Sequence, residues 1–445
     1  MSSLRLFYHF LRTRYGLQFA HREALVAWQE QQLQRFFQSV LPRAPRYQGM
    51  RIMHLSDLPL MDKATIMADF AAHNTRGVTA EEAFAVALQA EQTRDFSPKL
   101  GDLTVGLSSG TSGNRGLFLV SPQEQARWAG ILLARMLQTS ELRRLFQPWR
   151  APLKIAFFLR ANSHLYTTLR KRRIDFQFYD LLQGLEVALP RLQRQQPDIL
   201  VAPPSMLRLL AVAGLEKRLS VRPKRVISVA EVAEAADKRL IRQVFGVSPE
   251  QIYQATEGFL AYTCAHGGLH LNETFVYFEP QWLDPEQKRF QPIITDFTRD
   301  TQLIVRYQLN DVLRLADEPC SCGGAERTLA AIEGRTDEVL WLERVQSGRL
   351  EAIFPDHVRR MMALCGAGVR EFSVVQREDG WQVALASDEP QAAARLVREQ
   401  LVAFCEQRGL TMPDVRFEVW QPPIAGAKRR RVQCLLAKTP LASLG

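Results

Sequence analysis

The chain has no apolar run of the roughly eighteen residues that a membrane-spanning helix needs. It also lacks a clean apolar segment after Met1, where His9, Arg12 and Arg14 interrupt the pattern, so no secretory signal is expected. Cysteine is scarce. Six cysteines in 445 residues cannot make a disulfide scaffold, and a reduced, cytoplasmic setting is expected. Acidic residues are in deficit, 47 against 57 Lys and Arg, which leaves a net charge of +10. That balance suits a partner bearing phosphates, and nucleotide, CoA and nucleic acid all qualify. A zinc-containing nucleic-acid-binding protein is therefore a rival reading. Against it, Lys and Arg are dispersed apart from short runs at 170–173 and 428–431, and no nucleic-acid-binding motif is present. What is there is globular: 46% hydrophobic and 23% charged residues, in a chain long enough for two or three domains.

The chain is organised around Leu103 to Ser121. The apolar positions Leu103, Val105 and Leu107 lead into Ser108-Ser109-Gly110-Thr111-Ser112-Gly113-Asn114-Arg115-Gly116, and a β-prone segment, Leu117 to Val120, leads out. Glycines there permit positive φ, and successive loop amides with four hydroxyls can wrap a polyphosphate. By composition alone the loop is equally a Ser/Gly-rich hairpin turn. It is not a Walker loop, which opens straight into a helix through GK[ST]. Here the helix starts later, at Ser121-Pro122-Gln123-Glu124, with Ser as N-cap, Pro at the first turn and Glu closing a capping box.

Residues 1 to about 100 read as mostly helical. Leu4, Phe7 and Leu11 share one face of the first helix, with Arg5, Arg12 and Arg14 elsewhere, and this face is expected to dock on the main domain rather than lie on a membrane. Beyond residue 150, short apolar strands at Lys154–Leu159, 197–205 and Pro223–Val229 alternate with helices such as Ala235–Phe245, which stops at Gly246. That alternation argues for parallel α/β layers, with ligands beyond the carboxyl ends of the strands. The loops at 160–164, 203–205 and 229–232 are then candidate pocket walls; His164 is either a surface residue or a substrate contact.

Five segments ahead of residue 340 carry a resemblance. Ser108 to Gly116 resembles the phosphate loop of the acyl-adenylate-forming superfamily, in its phenylacetate–CoA ligase branch. Leu58-Pro59-Leu60-Met61-Asp62-Lys63 resembles the lead-in that precedes that loop. Tyr253-Gln254-Ala255-Thr256-Glu257-Gly258 resembles the Tyr-Gly-x-Thr-Glu signature, with Gln254 in place of Gly. Val305 to Val312 resembles the Tyr-Arg-x-x-Asp segment, and Glu333-Gly334-Arg335-Thr336-Asp337-Glu338 resembles the Gly-Arg-x-Asp-Asp hinge, with Glu338 replacing the second Asp. The matches occur in the superfamily order.

The resemblance implies ATP plus a carboxylic acid, aromatic by family habit, giving acyl-AMP and pyrophosphate, then transfer to CoA. A carrier-protein thiol, an amine, or no acceptor at all, as in the related deazaflavin-coenzyme adenylating enzymes, are the alternatives. Ser108, Ser109, Gly110, Thr111, Ser112 and Gly113 would hold phosphates, and Ala230 and Glu231 would border the nucleotide. Tyr253 would stack on adenine, Thr256 would bind phosphate, and Glu257 would carry Mg²⁺, a dication that prefers hard oxygen ligands. Asp311 would hold the ribose hydroxyls, Arg335 ribose or phosphate, and Asp337 would be the domain pivot.

An adenylation domain at 1–336 and a small mobile domain at 337–445 are expected. In the second, a strand at Val339–Leu342, a helix at Phe354–Leu364, a hairpin around Asp379-Gly380, a helix at Gln391–Gln407 and a strand at Val415–Trp420 give a ferredoxin-like β-α-β-β-α-β order. The second helix is expected to turn Ala393, Leu396, Val397, Leu401 and Phe404 inward. Pro422 to Val432 resembles the catalytic-lysine loop, with Ala427 splitting the usual Gly-Lys pair and Lys428 as the lysine; a solvated basic tail is the alternative. Finally, Cys264-x5-His270 and Cys320-Ser321-Cys322 together offer a Cys₃His set for a structural zinc, as some members of the branch carry, with His266 as a substitute ligand. Cys365, Cys405 and Cys434 read as small core residues.

Overall fold

Five strands form a parallel sheet in the order Ile174–Asp180, Leu153–Leu159, Ile199–Ala202, Arg225–Ser228, Glu250–Ala255. The computed structural model describes residues 2–93, 95, 98–107, 116–159, 173–422 and 430–436. Ser108 to Gly113, His164 and Lys428 lie outside the described residues. Ile199–Ala202 and Arg225–Ser228 are buried at every position, because a parallel sheet is covered on both faces. On one face Ala156, Leu200 and Val226 meet Leu192, Leu207, Leu210 and Ile241 from the helices Gly184–Gln195, Pro204–Leu215 and Ala235–Phe245. On the other, Ile155, Val201 and Ile227 meet Ile131 and Leu132 of the helix Pro122–Met136. The sheet continues with antiparallel strands Gly258–Thr263 and Leu269–Leu271.

Local chemistry sets the ends of these elements as expected. Ser121 accepts from the Glu124 amide while the Glu124 carboxylate accepts from the Ser121 amide at 2.8 Å, a complete capping box. The helix Ala235–Phe245 ends on Gly246 in the left-handed conformation. Strands Thr104–Leu107 and Leu117–Val120 pair antiparallel, with Leu107 opposite Leu117, so residues 108–116 bridge a hairpin.

The chain divides into two compact units, one of Met1–Glu279, Ile293–Gln308 and Ala316–Ala330, the other of Pro280–Pro292, Leu309–Leu315 and Ala331–Gly445. In the smaller unit a four-stranded sheet runs Val415–Val419, Gly380–Ala386, Glu371–Arg377, Val432–Cys434, and the helices Pro355–Leu364 and Pro390–Arg408 contribute to its core. Two details differ from the sequence reading. Leu340–Glu343 pairs with Leu350–Ile353 in a separate hairpin, and the strand that joins Glu371–Arg377 on its free side is Val432–Cys434. Leu396 faces solvent, because the helix turns the i, i+4 series Ala393, Val397, Leu401 and Cys405 inward. Cys365, Cys405 and Cys434 are buried, as read.

The first helix, Ser2–Leu11, also departs from expectation. It lies against Pro122–Met136, and the contact is so close that a Cβ on Gly130 would come within 2.6 Å of the Leu6 carbonyl. The docked side carries Phe10, while Leu4, Phe7 and Leu11 are exposed. Among the described residues no helix is long and apolar enough to cross a membrane.

Candidate functional site

Thr256 and Glu257 form the tip of a β-hairpin, because Ala255 pairs with Gly258 and leaves two residues for the turn. A register shift at Tyr253/Gln254 marks an irregularity just before it, of the kind that re-aims side chains beside functional sites. Tyr253 is buried in the strand, whereas Thr256 and Glu257 are half-buried. The hairpin tip continues the carboxyl end of the parallel sheet. Two neighbouring strand ends supply the expected walls: Glu231 accepts from the Ser205 amide at 3.1 Å, joining the 229–232 and 203–205 loops. Ala230, between them, holds φ +66°, an uncommon backbone state for a residue with a Cβ.

A narrow pocket opens at this edge. Lys63, Gly116, Thr256 and Glu257 line it together with apolar side chains from Ile66, Met67, Leu117, Phe118, Ile304 and Tyr307. The lead-in segment reaches it because Met61 bridges the chain at 306–308, its amide donating to Arg306 and its carbonyl accepting from Gln308. Asp62 then caps the helix Lys63–Ala68 by accepting from the Thr65 amide at 2.7 Å. Thus the last residue of the glycine-rich loop, the lead-in lysine and the Thr-Glu pair share one cavity.

A turn at 296–302, which the motif reading missed, holds these parts together. Arg299 donates to the Thr256 carbonyl at 2.9 Å, and its Nε lies 3.6 Å from Asp296. Burial pushes the Asp296 carboxyl above its ordinary range, although Arg299 and hydrogen bonds from Thr298 oppose the shift. Glu124 accepts from the Asp300 and Thr301 amides at 2.8 and 2.9 Å, and Gln302 accepts from the Leu119 amide at 2.9 Å. One turn therefore braces both the exit strand of the loop and the Thr-Glu tip. The only sequence signal was the density of turn-forming polar residues, Asp296, Thr298, Asp300 and Thr301, between apolar segments.

In the smaller unit, Asp311 opens the strand Asp311–Leu315 and Arg335 closes Thr328–Arg335, with the Arg335 Nε 3.8 Å from the Asp311 carboxylate. The Arg335 amide donates to Glu338 at 3.2 Å, so the acid that replaces the hinge's second Asp folds back onto the chain. Asp337 accepts from Arg430 at 2.8 Å, which removes Arg430 from the description of a solvated basic tail.

Cys264, His270, Cys320 and Cys322 form a second cluster, with one ligand atom from each lying within 4.8 Å of the others. The Cys264 and Cys320 sulfurs are 3.6 Å apart, and Cys322 lies 3.3 Å from His270 Nε2. The other ring nitrogen, Nδ1, lies 3.0 Å from the Glu326 carbonyl and, as a donor to it, leaves Nε2 as the ligand. The Gly324 amide donates to Cys322 at 3.4 Å. A Cβ on Gly268 would come within 2.6 Å of the Cys320 sulfur, so only glycine lets the loop wrap so closely. Burial alone would push the Cys320 thiol up, but hydrogen bonds from the Cys322 amide, His270 and Cys264 hold it at about 7. Burial, reinforced by its sulfur neighbours, pushes Cys322 up to about 11. The donor set and its convergence fit a tetrahedral dication. His266 Nδ1 lies 3.4 Å from Ser321 Oγ, and His266 is not part of the four-residue cluster.

No family model matches the chain. Its sequence is 23% identical over 204 residues to a phenylacetate–coenzyme A ligase of Thermus thermophilus, a match covering 42% of this chain and 44% of that protein. The aligned part thus spans less than half the length of the curated relative it matches. Among solved structures, a 2-hydroxyisobutyryl-CoA ligase in its postadenylation state, in complex with 2-HIB-AMP, superposes with a TM-score of 0.62 at 16% identity, covering 95% of this chain and 91% of that one. The GH3.15 acyl acid amido synthetase gives 0.55 at 12% identity, covering 92% of each chain. The architecture is therefore that of the adenylate-forming enzymes. In sequence the chain is thus similar to a phenylacetate–CoA ligase over part of its length, and the motifs carry the same resemblance.

Proposed function

We propose that the chain activates a small carboxylic acid with ATP, forming acyl-AMP and pyrophosphate, and passes the acyl group to CoA. The observation that carries the reading is the single cavity lined by Lys63, Gly116, Thr256 and Glu257 at the carboxyl end of the parallel sheet. In this reading Thr256 and the loop Ser108–Gly113 bind phosphate oxygens, and Glu257 supplies the hard oxygen that a magnesium ion needs. Asp311 accepts the ribose hydroxyls beside Arg335, and Lys428 offsets charge on the phosphates as the carboxylate attacks. Magnesium would supply charge neutralisation across the triphosphate; positioning and electrostatics do the rest. The apolar walls, Ile66, Met67, Phe118, Ile304 and Tyr307, favour an acid with an apolar or aromatic body.

The smaller domain, ferredoxin-like in this reading, would pivot at Asp337 between the two half-reactions. We assign a structural zinc to Cys264, His270, Cys320 and Cys322, since four ligands leave no position open for chemistry. The experiment is acid-dependent ATP–pyrophosphate exchange over a panel of small acids, followed by thioester formation with CoA. Exchange without thioester points to an amine or a carrier-protein thiol as acceptor. No exchange with any acid, in protein that binds ATP, rejects the reading.

A further inference from the structure

We propose that the helix Ser2–Leu11 and the turn after it seat the protein on an anionic lipid surface. The helix has two apolar sides. Phe10, Thr13 and Leu17 are buried, at 8%, 2% and 7% exposure, and the backbone of Leu6 to Phe10 lies against Gly130. The opposite side is not covered: Leu4, Phe7, Tyr8, Leu11 and Tyr15 are 77%, 47%, 56%, 39% and 69% exposed. Leu4, Phe7, Tyr8 and Leu11, at i, i+3, i+4 and i+7, make one continuous stripe, and Tyr15 follows in the wider turn Arg12–Gly16. A helix needs only one apolar side to dock on its own domain, so docking does not account for this one.

Charge selects the occupant. Arg5, Arg12, Arg14 and Arg22 fall within this segment, and no Asp or Glu precedes Glu23. Arg5 is exposed, Arg12 sits 5.4 Å over the ring of Trp28, and Arg14 is tied to the Ala134 and Leu137 carbonyls. Arg22 is committed to Glu273, so Arg5 and Arg12 are the cations that lipid phosphates would meet as the aromatic and leucine side chains enter the interface. A second copy of the chain fits less well. Covering all five side chains would bury on the order of 600 Å² per copy, short of the ~800 Å² per partner of a stable interface. Pairing two such stripes would also bring arginines against arginines with no acid between them.

The test is sedimentation of the full chain with vesicles of phosphatidylcholine alone and of phosphatidylcholine mixed with phosphatidylglycerol. The expected result is capture by the mixed vesicles only, lost at high salt. Arg5→Gln/Arg12→Gln should weaken that capture about thirtyfold, from roughly 1 kcal/mol per arginine. Phe7→Ser/Leu11→Ser should abolish it, with the thermal midpoint and ATP–pyrophosphate exchange unchanged in both variants. Equal capture by the neutral vesicles, or none by either, overturns the proposal. So does a dimer in light scattering that Phe7→Ser/Leu11→Ser dissolves, because the stripe then belongs to a second copy.

Discussion

Replacing Arg299 by methionine tests the brace beneath the Thr-Glu tip. Two contacts are lost: the 2.9 Å hydrogen bond to the Thr256 carbonyl and the 3.6 Å approach to the Asp296 carboxylate. A hydrogen bond from a charged donor contributes about 1.5–3 kcal/mol, and breaking a buried pair costs about 3–5 kcal/mol. The total should fall below their sum. Asp296 already holds its proton more tightly than an exposed carboxyl, so it can neutralise itself when its partner goes, and Arg127 adds some compensation. The expected loss is about 2–4 kcal/mol near neutral pH, read by urea unfolding.

The sign with pH follows from the direction of the Asp296 shift. Its folded value lies above the unfolded 3.8, so its contribution is fully present below 3.8 and is lost as pH rises through the raised folded value. Removing Arg299 raises that value further and extends the loss toward neutrality. The gap between Arg299→Met and the parent should therefore be smallest near pH 4, where the Thr256 hydrogen bond alone is lost, and widen as pH rises. Adding Asp296→Asn should recover about 1–2 kcal/mol of the loss at neutral pH, since no buried charge is then stranded. An equal gap at both pH values, with no recovery in the double variant, refutes the ion-pair argument and leaves Arg299 as packing only.

Purified protein should carry about one zinc per chain by elemental analysis, and Cys320→Ser should lower the thermal midpoint more than it slows the surviving enzyme; equally stable metal-free protein refutes the assignment. Glu257→Gln should depress adenylation and shift its magnesium dependence to higher concentration, because an amide is a poorer ligand for a hard dication; a normal rate with a normal magnesium response removes Glu257 from the site. Lys428→Ala should slow adenylation about 10²–10³-fold, the loss of about 3–4 kcal/mol from one preorganised donor, and leave consumption of presynthesised acyl-AMP nearly unchanged. Arg429→Ala is the control for a bland basic tail; Arg430→Ala is not, because Arg430 holds Asp337.

Local rules were enough for every element whose signal is short-range. The capping box at Ser121, the stop at Gly246, the Glu371–Ala386 hairpin and three of the five parallel strands, at 154–159, 199–202 and 225–228, all follow from residues within a turn or two of one another. Motif order carried the candidate site further, since the Thr-Glu pair, the lead-in lysine and the loop exit meet in one pocket. Contacts between distant residues were not legible. No spacing rule links Arg299 to Thr256, Gln302 to Leu119 or Glu124 to Asp300, yet these hydrogen bonds brace the site. The turn was set one residue early, at Glu378-Asp379, by the pairing of Arg377 with Gly380. Leu396 and the face of Leu4, Phe7 and Leu11 were misplaced for a related reason. Periodicity marks which residues share a face of a helix, but only the neighbouring elements decide which apolar face is covered. The four clustered Cys and His side chains lie between these cases: their chemistry was written in the sequence, and their convergence came from the strand pairing that sets His270 beside Thr328, a few residues past Cys322.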